Sequence, residues 1–135
     1  MGGEVVRSGT ALIGRLLLAA LFILEGWSKL RGYGAAAAYM ERYAVPGALL
    51  PLVILAELGG GALIAVGWQT RLAALALAGF CVAAALLFHG NFADRNQVIH
   101  FEKDLAIAGG LLLLAAFGPG RYALEGSRQG VHPPA

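Results

Sequence analysis

The sequence predicts an all-α integral membrane protein: four transmembrane helices in an up-down-up-down bundle, with a short interfacial helix in the first connection. Three observations carry this expectation. Hydrophobic residues make up 59% of the 135 residues and charged ones only 13%, against roughly 45–50% and about 25% in soluble domains. Mean hydropathy is +0.71. Apolar runs recur at close to the ~20 residues needed to cross the hydrocarbon, and the few charges sit at their ends or at helical spacing within them.

The length fits one domain. Ten basic and eight acidic side chains are spread thinly, and with no basic run there is no footprint for nucleic acid. Cys81 is the only cysteine, which excludes a thiol pair or a four-cysteine zinc site within one chain. Inside an apolar run it reads as a small buried hydrophobe.

Residues 1–9 read as a short polar tail. The first span is placed at about 10–30, and Leu16 to Lys29 (LLLAALFILEGWSK) organises the rest. Glu25 and Lys29 are four apart with the acid first, the favourable order for a helical ion pair. Stepping back along that face gives Phe22, Leu18 and Arg15, so one stripe holds every charge of the segment. A charge at membrane depth costs several kcal/mol unless it faces protein or water, so the stripe must look inward. Arg7 before an apolar run, with GAAAA after Tyr33, resembles a secretory signal. Glu25, Lys29 and Arg31 intervene, and the helix is expected to be a retained span. Trp27 suits an interfacial anchor.

The connection 32–47 holds a short helix over about 35–43, whose Tyr39 and Tyr43 suit the headgroup level. Val45-Pro46 ends it. The second span, about 48–68, tolerates Pro51 in its first turn and carries Glu57 near its middle. Gly59, Gly60 and Gly61 follow, and close helix packing is preferred there to a local break that exposes backbone. A tight turn leads into the third span, about 71–89, whose small stripe Ala74, Ala78, Cys81 and Ala85 ends at His89. The fourth span, about 101–118, opens with Glu102, Lys103 and Asp104. Gly109 and Gly110 suggest packing, as does Gly26 in the first span, and GPG at 118–120 stops the helix. The tail 121–135 is expected to be mobile. His89 and His100, with Asp94 and Asp104 nearby, give only a weak metal signal, and no metal site is assigned.

Antiparallel connectivity brings Glu25, Lys29, His89, Lys103 and Asp104 to one membrane side, above the deeper Glu57. Arg15, from the other side, or a lysine from above is the expected partner of Glu57. These residues form a candidate polar or ligand site. The bland alternative is that they neutralise one another and lock helix register. Basic residues divide five to five between the two sides. Discounting Lys29 and Lys103 as acid-paired gives five to three, which places both termini in the cytoplasm.

GRLLLAALFILEGWSKL, VPGALLPLVILAELGGGALIAVGWQTRLAAL, LLFHGNF and FEKDLAIAGGLLLLAAFGPGRYALE, in this order, resemble the bacterial DoxX family of small four-span membrane proteins. The resemblance covers about residues 14–125. It singles out Arg15, Gly26, Lys29, Glu57, Gly67, Arg71, His89 and Lys103. It implies an inner-membrane protein associated with quinone-linked oxidation or with membrane complexes that handle oxidative stress. A quinone is the cofactor so implied, with a redox protein as partner, and any thiol-dependent role would need a partner because of the single cysteine. Three functions follow as expectations: a quinone-associated redox component, a non-catalytic scaffold for a redox enzyme, or a small transporter or channel that would have to be a homo-oligomer.

Overall fold

The computed structural model describes residues 2–126, and every secondary-structure element within them is helical. The elements are α1 (Gly2–Arg31), α2 (Tyr33–Arg42), a 3-10 turn (Gly47–Leu49), α3 (Leu50–Val66), α4 (Thr70–Phe88) and α5 (Arg95–Phe117). The first helix begins at Gly2, not near residue 10. Once the apolar segment has nucleated a helix, each further residue adds a hydrogen bond cheaply, and Ser8 packs into the molecule, so the expected polar tail is helical instead. α5 likewise starts at Arg95, because the Asp94 side chain accepts from the Asn96 amide at 2.9 Å and caps it.

α1 packs along α3, α4 packs along α5, α3 meets α4, and α1 touches α5. Consecutive long helices run antiparallel. Gly26 near the end of α1 lies against Glu57 and Leu58, while Arg15, three turns earlier, reaches Ala65 near the end of α3. The α3–α4 turn is closed by Gly67 in the left-handed region at φ 73°, a C′ position that favours glycine. Gln97 of α5 meets His89 at one end of α4, and Gly118, just past the end of α5, lies beside Arg71 at the other.

Small residues dominate the interior. Ala19 and Phe22 of α1, Ile64 of α3, Ala73, Ala74, Leu77, Ala78 and Cys81 of α4, and Ala108 and Leu111 of α5 form one core. A second cluster, Met40 with Leu50 and Ile54, seats α2 on the start of α3. The outer faces are apolar as well: Leu17, Leu55, Leu72 and Leu86 are each about two-thirds exposed. A soluble protein seldom exposes so continuous an apolar surface. Three helical segments, Gly2–Arg31, Gly47–Val66 and Thr70–Phe88, are long and apolar enough to cross a membrane. α5 falls short by composition, since Arg95, Glu102, Lys103 and Asp104 occupy its first half.

The expected mobile tail is different in its first part. Residues 119–125 turn back as a strap over the α3–α4 turn, with Leu124 N–H donating to Val66 O and Glu125 N–H to Gly67 O, both at 3.0 Å. Residues 127–135 lie outside the described residues.

Candidate functional site

The centre of the site is Glu57, at 1% exposure the most deeply buried acid of the described residues. Ten residues separate it from Gly47, where the second span begins, so a lone carboxylate there could not reach water. Lys29 supplies the compensation. Its Nζ lies 3.0 Å from Oε1 and 3.3 Å from Oε2 of Glu57, with a directed hydrogen bond only to Oε2. Oε1 is left without a hydrogen-bond partner. The same ammonium lies 3.5 Å from Glu25, whose carboxylate is 59% exposed. Three ionisable groups thus run from the helix surface to a buried acid.

Glycine makes this approach geometrically feasible. A Cβ on Gly26 would lie 2.8 Å from Leu58 Cγ and 3.2 Å from the Glu57 Cβ, so only glycine lets α1 sit this close over Glu57. Gly61 faces Ile23 and the Ala19 carbonyl of α1, and Gly60 faces Leu77 of α4. α3 is unbroken through all three glycines. Gly59 and Gly109 meet nothing closer than 3.9 Å, and Gly110 only brushes Leu18. These last three are not close-packing positions.

A second polar group stands beside the first, on α4 and α5. Gln97 Nε2 donates to the Tyr43 hydroxyl at 3.4 Å, which directs Gln97 Oε1 at His89 Nδ1, 3.1 Å away. In that arrangement Nδ1 carries the proton. His89 Nε2 then faces Asp104 Oδ2 at 3.6 Å, and this contact is attractive only when one proton resides on the imidazole or on the carboxyl. His100 stacks on His89 with ring centroids 5.0 Å apart. Asp104 also lies within electrostatic reach of Glu25, so the two groups adjoin. Tyr39, Tyr43 and Phe88 form an aromatic cluster over this end, with centroids 5.1–5.6 Å apart. Burial, then the hydrogen bond with Tyr43, pushes the Tyr39 phenol above its ordinary range.

Two expected members are elsewhere. Lys103 is exposed and makes no hydrogen bond or ion pair among the described residues. One helical position is a rotation of about 100°, so α5 turns Asp104 inward and its neighbour outward. Lys103 therefore counts as free flanking charge. Arg15 is not a partner of Glu57 either. It lies 14 residues from Lys29, about 21 Å along the helix, where its guanidinium donates to the carbonyls of Pro119 at 2.7 Å, Tyr122 at 2.8 Å and Ala65 at 3.3 Å. The C-terminal ends of α3 and α5 converge there, and their negative dipole ends complement the buried cation.

These placements change the charge count. Arg15 and Lys29 are held within the molecule and Lys103 is free, so the described flanking charges do not decide which side holds the termini; Arg128 lies outside the described residues. Asp94 caps α5 through the Asn96 amide, and among the described residues no three His, Cys, Asp or Glu side chains converge as a metal site would require. The sequence reading placed Tyr43 at the headgroup level but not in the site, and it had no signal for Gln97, a neutral side chain in a loop-proximal segment. It also missed the strap, for which GPG followed by a polar stretch was the available cue.

Against known proteins, the DoxX family profile matches residues 10–90. The Escherichia coli inner membrane protein YqjF is 50% identical over 114 residues, covering 84% of this chain and 88% of that protein. The E. coli inner membrane protein YphA is 31% identical over 122 residues, covering 84% of this chain and 86% of its own length. No solved structure matches. With an apolar helical fold and matches of this extent, the chain belongs to the DoxX family.

Proposed function

We propose that this DoxX-family chain is an inner-membrane four-span protein that serves a redox complex by exchanging protons with the head of a quinone at Glu57. Both named relatives are inner membrane proteins. α5 counts as the fourth span because it follows α4 from His89 to Arg71; where α4 crosses, α5 crosses with it, and the order is up-down-up-down. Its charged first turns are carried at depth by the His89–Asp104 contact.

The observation that carries the functional reading is the Glu57 Oε1, buried at mid-span beside a lysine yet accepting no hydrogen bond. A buried acceptor without a donor is costly, and a quinol hydroxyl is a donor of the right kind for it. When bound, a quinone supplies two-electron, two-proton chemistry, with electrons coming from a partner redox protein. The chain's own residues hold and move protons. Lys29 is the ammonium that faces the Glu57 carboxyl while the head is absent, and Glu25, beyond the ammonium, links the pair to the surface. His89 and Asp104, 3.6 Å apart, place a second imidazole and carboxyl at the same end.

Extraction of quinone from purified protein, together with quinone-dependent thermal stabilisation in detergent, tests this. A co-purifying quinone and a stabilisation lost in Glu57→Gln are expected. Protein that carries no quinone and shows no stabilisation would overturn the proposal. A scaffold role is the second reading, favoured by the way Gly26 seats α1 directly on Glu57, as a register lock would. It predicts that Glu57→Gln leaves complex assembly intact while substitutions over 92–96, including the exposed Phe92, abolish it.

A further inference from the structure

At the end of the molecule opposite Glu57, the α3–α4 turn and the C-terminal strap flank an open groove of about 570 Å³. Its lining includes Arg71 and Glu125, charges of opposite sign that share the groove without pairing with each other. Glu125 Oε1 accepts one hydrogen bond, from the Thr70 amide at 2.8 Å, which leaves most of the roughly four acceptor sites of a carboxylate unused. Arg71 is exposed and makes no hydrogen bond or ion pair among the described residues. Thr70, also in the lining, is fully buried with a hydroxyl that has no partner. The first-turn amides of α4 lack intrahelical acceptors and add a positive dipole end.

The level of the groove in the membrane follows from its neighbours. α3 ends at Val66 and α4 begins at Thr70, and both are long apolar helices, so the turn between them emerges at the headgroup layer. Trp68, 48% exposed, has the character of an interfacial anchor, and Leu72, 67% exposed, offers an apolar wall on the membrane side. A cation site and an anion site held apart at this depth, beside surface suited to an acyl chain, match a zwitterion carrying a lipid tail. We propose that the groove binds the headgroup of an aminophospholipid, its primary ammonium on Glu125 and its phosphate on Arg71 and the first-turn amides of α4. The strap that supplies Glu125 is held by Arg15 through the Pro119 and Tyr122 carbonyls, so a buried arginine positions one half of the site. The proposal rests on membrane embedding and is independent of the quinone reading.

Native mass spectrometry of the full chain, released from micelles containing phosphatidylethanolamine and phosphatidylcholine of the same acyl chains, tests it. Phosphatidylcholine keeps the phosphate but has no N–H to donate. The wild type is expected to retain phosphatidylethanolamine by roughly ten-fold over phosphatidylcholine, the worth of one charge-assisted hydrogen-bonded contact. Glu125→Gln keeps a carbonyl acceptor for the Thr70 amide, so the strap stays closed, and it should erase the preference between the two lipids. Arg71→Gln should weaken retention of both, Arg71→Lys should restore part of it, and Arg42→Gln, at the opposite end, should change neither. Equal retention of the two lipids by the wild type, or a preference that survives Glu125→Gln in a protein with unchanged helical circular dichroism, would overturn the assignment. Binding of soluble phosphoethanolamine as tight as that of the lipid would assign the groove to a free aminoalkyl phosphate and overturn the lipid.

Discussion

Lys29 and Glu57 are unequal partners, because the side chain of the first is 29% exposed and that of the second 2%. An ammonium that loses its acid can turn to water, whereas the carboxylate cannot. Removing Lys29 should therefore destabilise more than neutralising Glu57: about 2–3 kcal/mol for Lys29→Met against about 1 kcal/mol for Glu57→Gln, scaled down from the cost of breaking a fully buried pair and measured by thermal unfolding in detergent. Arg15 makes a different prediction. Arg15→Gln removes donors from three carbonyls, at a cost of about 1–3 kcal/mol, and should expose Arg121 to faster tryptic cleavage as the strap loosens. Helical spacing made part of the inward stripe of α1 legible: Arg15 and Phe22 are buried along it, while Glu25, expected to face inward with them, is 59% exposed. It also contained the means to separate Asp104 from Lys103, since Asp104 shares the face of Ala108 and Leu111 and its neighbour does not. The partner of Glu57 was legible only as a choice between Arg15 and a lysine, and the structure gives it Lys29; the choice depends on how far one helix slides along another, which spacing within a helix does not encode.

Among the elements, the glycines divide by face. Three consecutive positions on a helix point about 100° apart, so the GGG of α3 cannot serve one interface. Gly61 meets α1, Gly60 meets α4 and Gly59 meets neither. Gly26→Ala and Gly61→Ala should each cost about 1–3 kcal/mol through overpacking, and Gly26→Ala should also weaken the coupling of Lys29 to Glu57. Gly109→Ala, by contrast, fills open space and should stay within about 0.5 kcal/mol, as surface substitutions do. Gly67→Ala should be the most damaging, since its φ of 73° is joined by a collision with Ala123. Unfolding midpoints for these four variants in one detergent check the ranking. Glycine-rich packing was readable as a tendency of membrane helices, but which glycine serves which helix required the register.

At the scale of the molecule, two ends with separate chemistry emerge: an acid–base end around Glu57 and His89, and a clamped end around Arg15 and the strap. The helical content and the short helix of the first connection were evident in the hydropathy pattern and its Gly and Pro punctuation. The helical start at Gly2 and the strap were not, because each is stabilised by contacts remote in sequence: Ser8 by its packing, residues 119–125 by Arg15 and by Thr70, which meets Glu125 across 55 positions. Orientation in the bilayer is read directly from C-terminal reporter fusions; activity only in the cytoplasm would support the termini placement that the uncorrected charge count favoured, and activity only outside would reverse it.

The most direct test of the account is a double-mutant cycle on the pair at its centre. The stabilities of Lys29→Met, Glu57→Gln and the double variant, measured with the wild type in the same detergent, should show a coupling of at least about 1 kcal/mol, as charged side chains in contact do. Losses that add to within about 0.3–0.5 kcal/mol, the behaviour of independent sites, would mean that Lys29 does not hold Glu57 and would contradict the account.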